Sequence, residues 1–214
     1  MARRTKQESE RTRQRIVEAA REEFERRGFA HTTLERVAAT AGVTRGAVYW
    51  HFSDKRSLFN AVRDQVVLPM LDRIDFDEPA TAGDDPLSRV ERYLFSVIDA
   101  LEQDDAARCT FAILHFRCEY VDPLADEFDH QLLRHRELLE RLASAYERAR
   151  GLGLTPASLD PRLAAGATLV MLAGLVRVWL LDREGTLVRG TCRGLIAAHV
   201  AALRVRNGAC PSPP

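Results

Sequence analysis

Apolar residues recur three and four positions apart along nearly the whole chain, the spacing that lines one face of an α-helix, and strict alternation is scarce. Ile16, Ala19, Ala20 and Phe24 fall in this register and predict a first helix over 11–27, closed by Gly28. Thr32-Thr33-Leu34-Glu35 offers a capping box between Thr32 and Glu35, opening a second helix that runs to about Ala41. Gly42 breaks it. Thr44 caps a short third helix ending near His51, and Ser53 or Asp54 caps a fourth. The fourth carries Leu58, Phe59, Val62, Val66 and Val67 on one side, and Pro69 is expected to kink or stop it. Asp75 to Pro86, with its acids, Gly83 and two prolines, reads as a loop. Five further helices are predicted at about 87–103, 106–120, 123–150, 161–182 and 186–205, with Gly151, Gly153 and Pro156 separating the seventh from the eighth. Residues 1–10 read as a polar, basic arm and 208–214 as a disordered tail.

The pattern is all-α, and the dominance of Ala, Leu, Arg and Glu agrees with it. A chain of 214 residues suffices for one good core, or for a small domain attached to a larger one. The formal net charge of +0 hides an asymmetry. Residues 1–65 hold 14 basic and 9 acidic side chains, a net of +5, and the remainder holds 17 and 22, a net of −5. The N-terminal part alone is suited to a polyanion, although clustering in an Arg-rich chain would look the same. Cys109, Cys118, Cys192 and Cys210 lack zinc-like spacing and follow no secretory signal, so free thiols in the cytoplasm are expected. Leu163 to Leu181 is nearly long enough to span a bilayer. Arg177 inside it, and the charges at both ends, favour a helix buried in protein and no membrane.

The two short helices around Gly42 meet the size demands of a helix-turn-helix. Ala38 is small where the helices cross, Gly42 tolerates left-handed φ, and Val37, Ala41, Val43 and Val48 face inward. The outer face of the second of these helices then displays Thr44, Arg45, Gly46, Tyr49 and Trp50. Arg45 suits a guanine edge, Gly46 permits close backbone approach, and Tyr49, His51 and Lys55 suit phosphate. Phe52 is expected to turn into the core, and Trp50 has core packing as its alternative.

Residues 12–59, TRQRIVEAAREEFERRGFAHTTLERVAATAGVTRGAVYWHFSDKRSLF, resemble the DNA-binding domain of the TetR family of repressors. With the arm and with ILHFRCEYV further on, they are similar more narrowly to its AcrR/TtgR branch, regulators of multidrug efflux pumps. The resemblance implies a nine-helix subunit with a basic arm (1–10), a DNA reader (11–56), a ligand-binding and dimerising domain (57–207) and a tail (208–214). It implies a cytoplasmic homodimer on a pseudo-palindromic double-stranded operator, with no cofactor. DNA contacts carry over to Thr33, Thr44, Arg45, Gly46, Tyr49, Trp50, His51 and Lys55, and Lys6 in the arm reaches the adjacent backbone or minor groove. It implies an apolar effector pocket, with candidates Val66, Val67, Met70, Phe95, Ile98, Phe111, Leu114, His115, Cys118, Glu119, Gln131, His135, Met171, Leu175 and Trp179. For any single aliphatic among these, ordinary core is the alternative. Several relatives carry an acid late in helix four or midway along helix eight. Here those stretches read Val66-Val67-Leu68 and Leu172-Ala173-Gly174, which favours a neutral or phenolic amphiphile over a cation.

Helix eight is apolar nearly all round, so one subunit cannot easily cover it. Ala164, Ala167, Thr168 and Val178, with Leu195, Ile196, Ala198, Val200 and Leu203 of helix nine, are expected at a subunit interface built as a four-helix bundle. Two rival functions are weighed against the repressor. His115, Cys118 and Glu119 at i, i+3 and i+4 of one helix would suit a metal or thiol sensor, but no partner cluster accompanies them. An enzyme would need a nucleophile–base order, a phosphate loop or paired carboxylates, and none stands out.

Overall fold

The computed structural model describes residues 2–72, 85–120 and 124–205. Among these it is helical without strands: α1 (Ala2–His31), α2 (Leu34–Ala41), α3 (Arg45–His51), α4 (Lys55–Asp72), α5 (Pro86–Gln103), α6 (Asp105–Phe116), α7 (Ala125–Gly151), α8 (Pro161–Leu181) and α9 (Cys192–Leu203). The expected tail 208–214, and the expected loop at 75–86 up to Asp84, lie outside the described residues. The chain forms two compact units, 1–72 with 100–130, and 73–99 with 131–214. The sixth helix, expected in the C-terminal domain, thus packs with the first four, against α1 and α4.

The first unit closes around α1, whose face of Ile16, Val17, Ala20 and Phe24 is fully buried. Phe24, Phe29 and Phe59 pack ring on ring, with centroids 5.3–5.8 Å apart. Gly28 interrupts the helical path of α1 with a φ of 79°. This lets the Phe29 amide donate to the Arg117 carbonyl at 2.9 Å, and a Cβ on Gly28 would stand 3.3 Å from that oxygen. The same junction ends α6 at Phe116, earlier than the periodicity predicts: Arg117 leaves helical backbone, and the Tyr120 hydroxyl donates back to the Leu114 carbonyl.

Three other local readings change. The N-terminal arm is the opening of α1, since Ala2 onward is helical. Thr33, not Thr32, caps α2 by accepting from the Arg36 amide at 3.4 Å, because Thr32 is buried and donates to the Glu23 and Gly28 carbonyls. Pro69 does not stop α4, which continues to Asp72. As expected, Thr44 caps α3, and Asp54 caps α4 through the Ser57 amide at 2.6 Å.

In the second unit, helix nine begins at Cys192 rather than near Thr186. Asp182 is the reason. Its buried carboxylate accepts the amides of Thr186, Leu187, Val188 and Arg189 at 2.8–3.1 Å and winds 182–189 into a tight turn. Tyr146, Thr168 and His199 tie α7, α8 and α9 together at 2.7 Å each. Thr168 Oγ1 is also 3.0 Å from the Ala164 carbonyl, and its one hydrogen can go to that carbonyl only if Tyr146 Oη and His199 Nε2 both donate to it. Burial lowers the His199 pKa, which keeps that ring neutral at pH 7. Arg204 clamps Asp85 with two bonds of 3.0 and 3.2 Å, joining the end of α9 to the start of α5. By length and composition α8 could cross a membrane, and 44% of its apolar window is buried inside the protein.

A buried ion pair joins α4 to the start of α7 within the first unit: Arg63 Nη1 donates to Glu127, with Asn60 and Asp64 on the same guanidinium. Removing one partner strands the other away from water. Glu127→Ala should therefore cost about 3 kcal/mol in urea denaturation, and Arg63→Met with Glu127→Leu should recover most of it. A loss well under about 1 kcal/mol would show that Asp64 and Asn60 together satisfy Arg63.

Candidate DNA interface

The turn between α2 and α3 is set by Gly42, at φ 64° and ψ 37°, whose amide and that of Val43 return to carbonyls at the end of α2. Arg15 of α1 seals it by donating to the Ala41 carbonyl at 2.6 Å, and a Cβ on Gly42 would come within 3.2 Å of that guanidinium. Val37, Ala38, Ala41, Val48 and Phe52 are buried beneath, as their spacing predicts. Arg13 lies over the Phe52 ring at 5.3 Å.

What remains outward on α3 is polar and aromatic. Trp50 is 73% exposed and Tyr49 45%, so neither is a core aromatic, and Thr44, Arg45 and Gly46 are exposed beside them. Arg45 Nε lies 3.0 Å from Glu35 Oε1, its Nη2 donates to Tyr49 Oη at 3.3 Å, and its guanidinium sits 5.3 Å from the Tyr49 ring centre. Sequence reasoning did not pick out Glu35 in this role. Thr33 is exposed, but its oxygen is engaged as the α2 cap, and Lys6 is exposed on α1.

Two expected phosphate grips have more specific surroundings. Burial, then the nearby Arg13, lowers the His51 pKa, so this ring is a neutral donor rather than a cation at pH 7. It packs edge-on against Trp50 at 4.5 Å. Lys55 Nζ donates to the Phe29 and Ala30 carbonyls at 2.7 and 3.2 Å and lies 4.4 Å from the Phe29 ring centre. One ammonium hydrogen of three is left for DNA.

The effector candidates fall in both units. In the first, Val66 and Leu114 are buried, while Val67, Phe111, His115 and Cys118 are half-buried and Glu119 is exposed. The Met70 side chain lies outside the described residues. In the second, Ile98, Leu175 and Trp179 are buried, Phe95, Gln131 and Met171 half-buried, and His135 exposed with Nδ1 2.7 Å from the Gln131 carbonyl. Leu114 belongs to the core around Phe24, with Val67 and Cys118 packed against it. Trp179 carries the Arg189 guanidinium 4.0 Å over its ring, and among the described residues its buried Nε1 finds no hydrogen-bond acceptor.

The sensor alternative loses its premise. Because α6 ends at Phe116, Cys118 and Glu119 do not share a helical face with His115. Burial pushes the Cys109 and Cys118 thiols up to about 12, which leaves little reactive thiolate at pH 7.

The expected interface residues divide. Ala164, Thr168, Ile196 and Val200 are buried within the subunit, so they are core, and Leu203 is half-buried. Ala167, Val178, Leu195 and Ala198 are exposed. With Ala167 and Val178, the exposed Leu163, Val170, Gly174 and Leu181 form one stripe along α8. The 3.6-residue period starting at Ala167 would have found them.

Comparison with known proteins covers both parts of the chain. The model of bacterial regulatory proteins of the tetR family matches residues 16–62, and that of the C-terminal region of MAATS-type transcriptional repressors matches residues 85–205. The regulator TtgR of Pseudomonas putida is 37% identical over 190 residues, 85% of this chain and 86% of TtgR. The crystal structure of NalD, the secondary repressor of the MexAB-OprM multidrug efflux pump in Pseudomonas aeruginosa, is 30% identical with a TM-score of 0.77, covering 94% of this chain and all of that one. A complex of SmeT with triclosan is 28% identical with a TM-score of 0.78, covering 95% and 98%. SmeT represses the Stenotrophomonas maltophilia multidrug efflux pump SmeDEF.

The carbonyl contacts of Lys55 predict that Lys55→Met melts at lower temperature in the absence of DNA, by about 1–2 kcal/mol of stability. An unchanged melting temperature with weakened DNA binding would make Lys55 a phosphate contact alone.

Proposed function

The chain belongs to the TetR family of bacterial regulatory proteins and is a ligand-responsive transcriptional repressor of its multidrug-efflux branch, and we propose the following account of how its residues carry that out. Two subunits, in the cytoplasm, grip one pseudo-palindromic operator, each placing α3 in a major groove. The observation that carries this reading is the outward face of α3. It is held rigid by the Thr44 cap and the buried Val48, and it spends its exposed positions on Arg45, Gly46, Tyr49 and Trp50. Large aromatics are seldom left so open to water without a surface to cover them. Arg45 reads a base, while Thr33, Thr44, Tyr49, Trp50, His51, Lys55 and, from α1, Lys6 hold the backbone. The chain regulates rather than catalyses.

Two recognition helices must stand about 34–36 Å apart to meet successive grooves, so the subunits have to be joined rigidly. The exposed α8 stripe and Leu195 and Ala198 of α9 are the proposed joint. Small residues there permit close helix approach, and the same patch serves both chains. Ala167→Glu should convert the dimer to monomer in sedimentation, with helix content unchanged and tight operator binding lost. A wild-type monomer at micromolar concentration with full operator affinity would overturn the joint.

The effector is proposed to be a neutral or phenolic amphiphile, and SmeT's complex with triclosan sets the precedent within the branch. The stretches Val66-Val67-Leu68 and Leu172-Ala173-Gly174 carry no acid, and the buried Trp179 indole N–H, without an acceptor among the described residues, is a donor for a ligand oxygen. Effector binding and operator binding must be linked reciprocally, with a coupling of about 1–3 kcal/mol typical. Triclosan, titrated with and without operator DNA, should bind more weakly in the presence of DNA. Equal affinity in both states would refute release by ligand.

A further inference from the structure

We propose that Glu35 is a specificity-determining residue of the DNA interface, fixing the Arg45 side chain in the orientation from which it reads its base. This rests on the reading of Arg45 as a base reader, and it concerns a residue on α2 rather than on α3. Glu35 occupies the first turn of α2, where its side chain reaches the next helix and places Oε1 3.0 Å from Arg45 Nε. Tyr49, one turn after Arg45 on α3, accepts from Arg45 Nη2 at 3.3 Å. Glu35 therefore pairs with the guanidinium by charge at Nε, and Tyr49 takes one hydrogen of Nη2. Both hydrogens of Nη1 and one of Nη2 are left over, enough for a two-pronged contact with O6 and N7 of guanine.

The carboxylate is itself held. Its own backbone amide, then the Thr33 hydroxyl and Arg45, lower the Glu35 pKa, so it is ionised at neutral pH. Stability does not explain the arrangement, because an ion pair between side chains this exposed adds little to a fold. Affinity does not explain it either. A negative charge on the surface that meets DNA repels phosphate and weakens binding to every sequence. What the pair does is restrict a long, mobile cation that would otherwise reach for the nearest phosphate. The charge lowers non-specific binding and the geometry aims the fork at a base.

The test uses the full-length protein and a pool of duplexes with randomised half-sites, selected by the wild type and then measured one base pair at a time. Arg45→Ala should lose discrimination at one base pair per half-site. Glu35→Gln, which keeps size and removes charge, should lose about fivefold of the discrimination at that same base pair and bind random duplex more tightly. On the Arg45→Ala background, Glu35→Gln should change specificity no further, a non-additivity that a general electrostatic effect would not give. If Arg45→Ala relaxes its base pair but Glu35→Gln leaves discrimination untouched, Glu35 does not position it. If Glu35→Gln relaxes a different base pair, Glu35 reads DNA directly and the proposal is wrong. If Arg45→Ala relaxes no base pair, the reading of Arg45 falls and the role of Glu35 falls with it.

Discussion

A seven-residue helix does not hold together by itself in water, because so short a run cannot repay the cost of its first turn. The recognition element α3 is of that length, and the architecture of the first unit answers this constraint. Thr44 satisfies an amide at one end, and Val48 and Phe52 pin the inner face. Gly42 and Arg15 fix the angle at which the helix leaves α2. Nothing on the outer face is needed for folding, which is why that face is free to be specialised. The buried layer beneath it consists of small and branched residues whose spacing permits one crossing of the two helices.

The larger packing is fastened by polar groups placed where helices end. Glu23, buried on α1, takes the Thr40 hydroxyl at 3.0 Å from the last turn of α2, with Arg26 and Arg27 on the same carboxylate. Lys55 closes the exposed carbonyls at the end of α1, and Asp182 collects the amides that follow α8. Each of these groups satisfies backbone or side-chain bonds that a helix end leaves open. They make the fold specific rather than deep, since a buried charge contributes only when its geometry is met.

Legibility in the sequence followed the range of the cause. The helix count, the Gly42 turn, the Thr44 cap and the inward set around Val48 depend on neighbours within a few residues, and all could be read directly. The end of α6 could not, because the Arg117 carbonyl is taken by the amide of Phe29, 88 positions earlier. Thr32 and Thr33 exchanged roles because Glu23 and Gly28 offer Thr32 a buried acceptor that no local pattern reveals. At the proposed subunit joint, the apolar character of α8 was plain but its inner and outer faces were not. Thr168 and Ala164 turned inward because Tyr146 and His199 required a partner there.

The first unit is discontinuous in sequence, since α6 and its flanks complete what α1 and α4 begin. On the ribosome this imposes a wait. The first 72 residues emerge with one side of α1 and α4 uncovered, and residues up to 130 must follow before that surface is sealed. At ordinary elongation speeds the interval is roughly three to twelve seconds, long compared with helix formation and with collapse. A nascent repressor therefore carries an exposed apolar seam for seconds, and the same chain that later competes for operators first has to avoid its neighbours on the polysome.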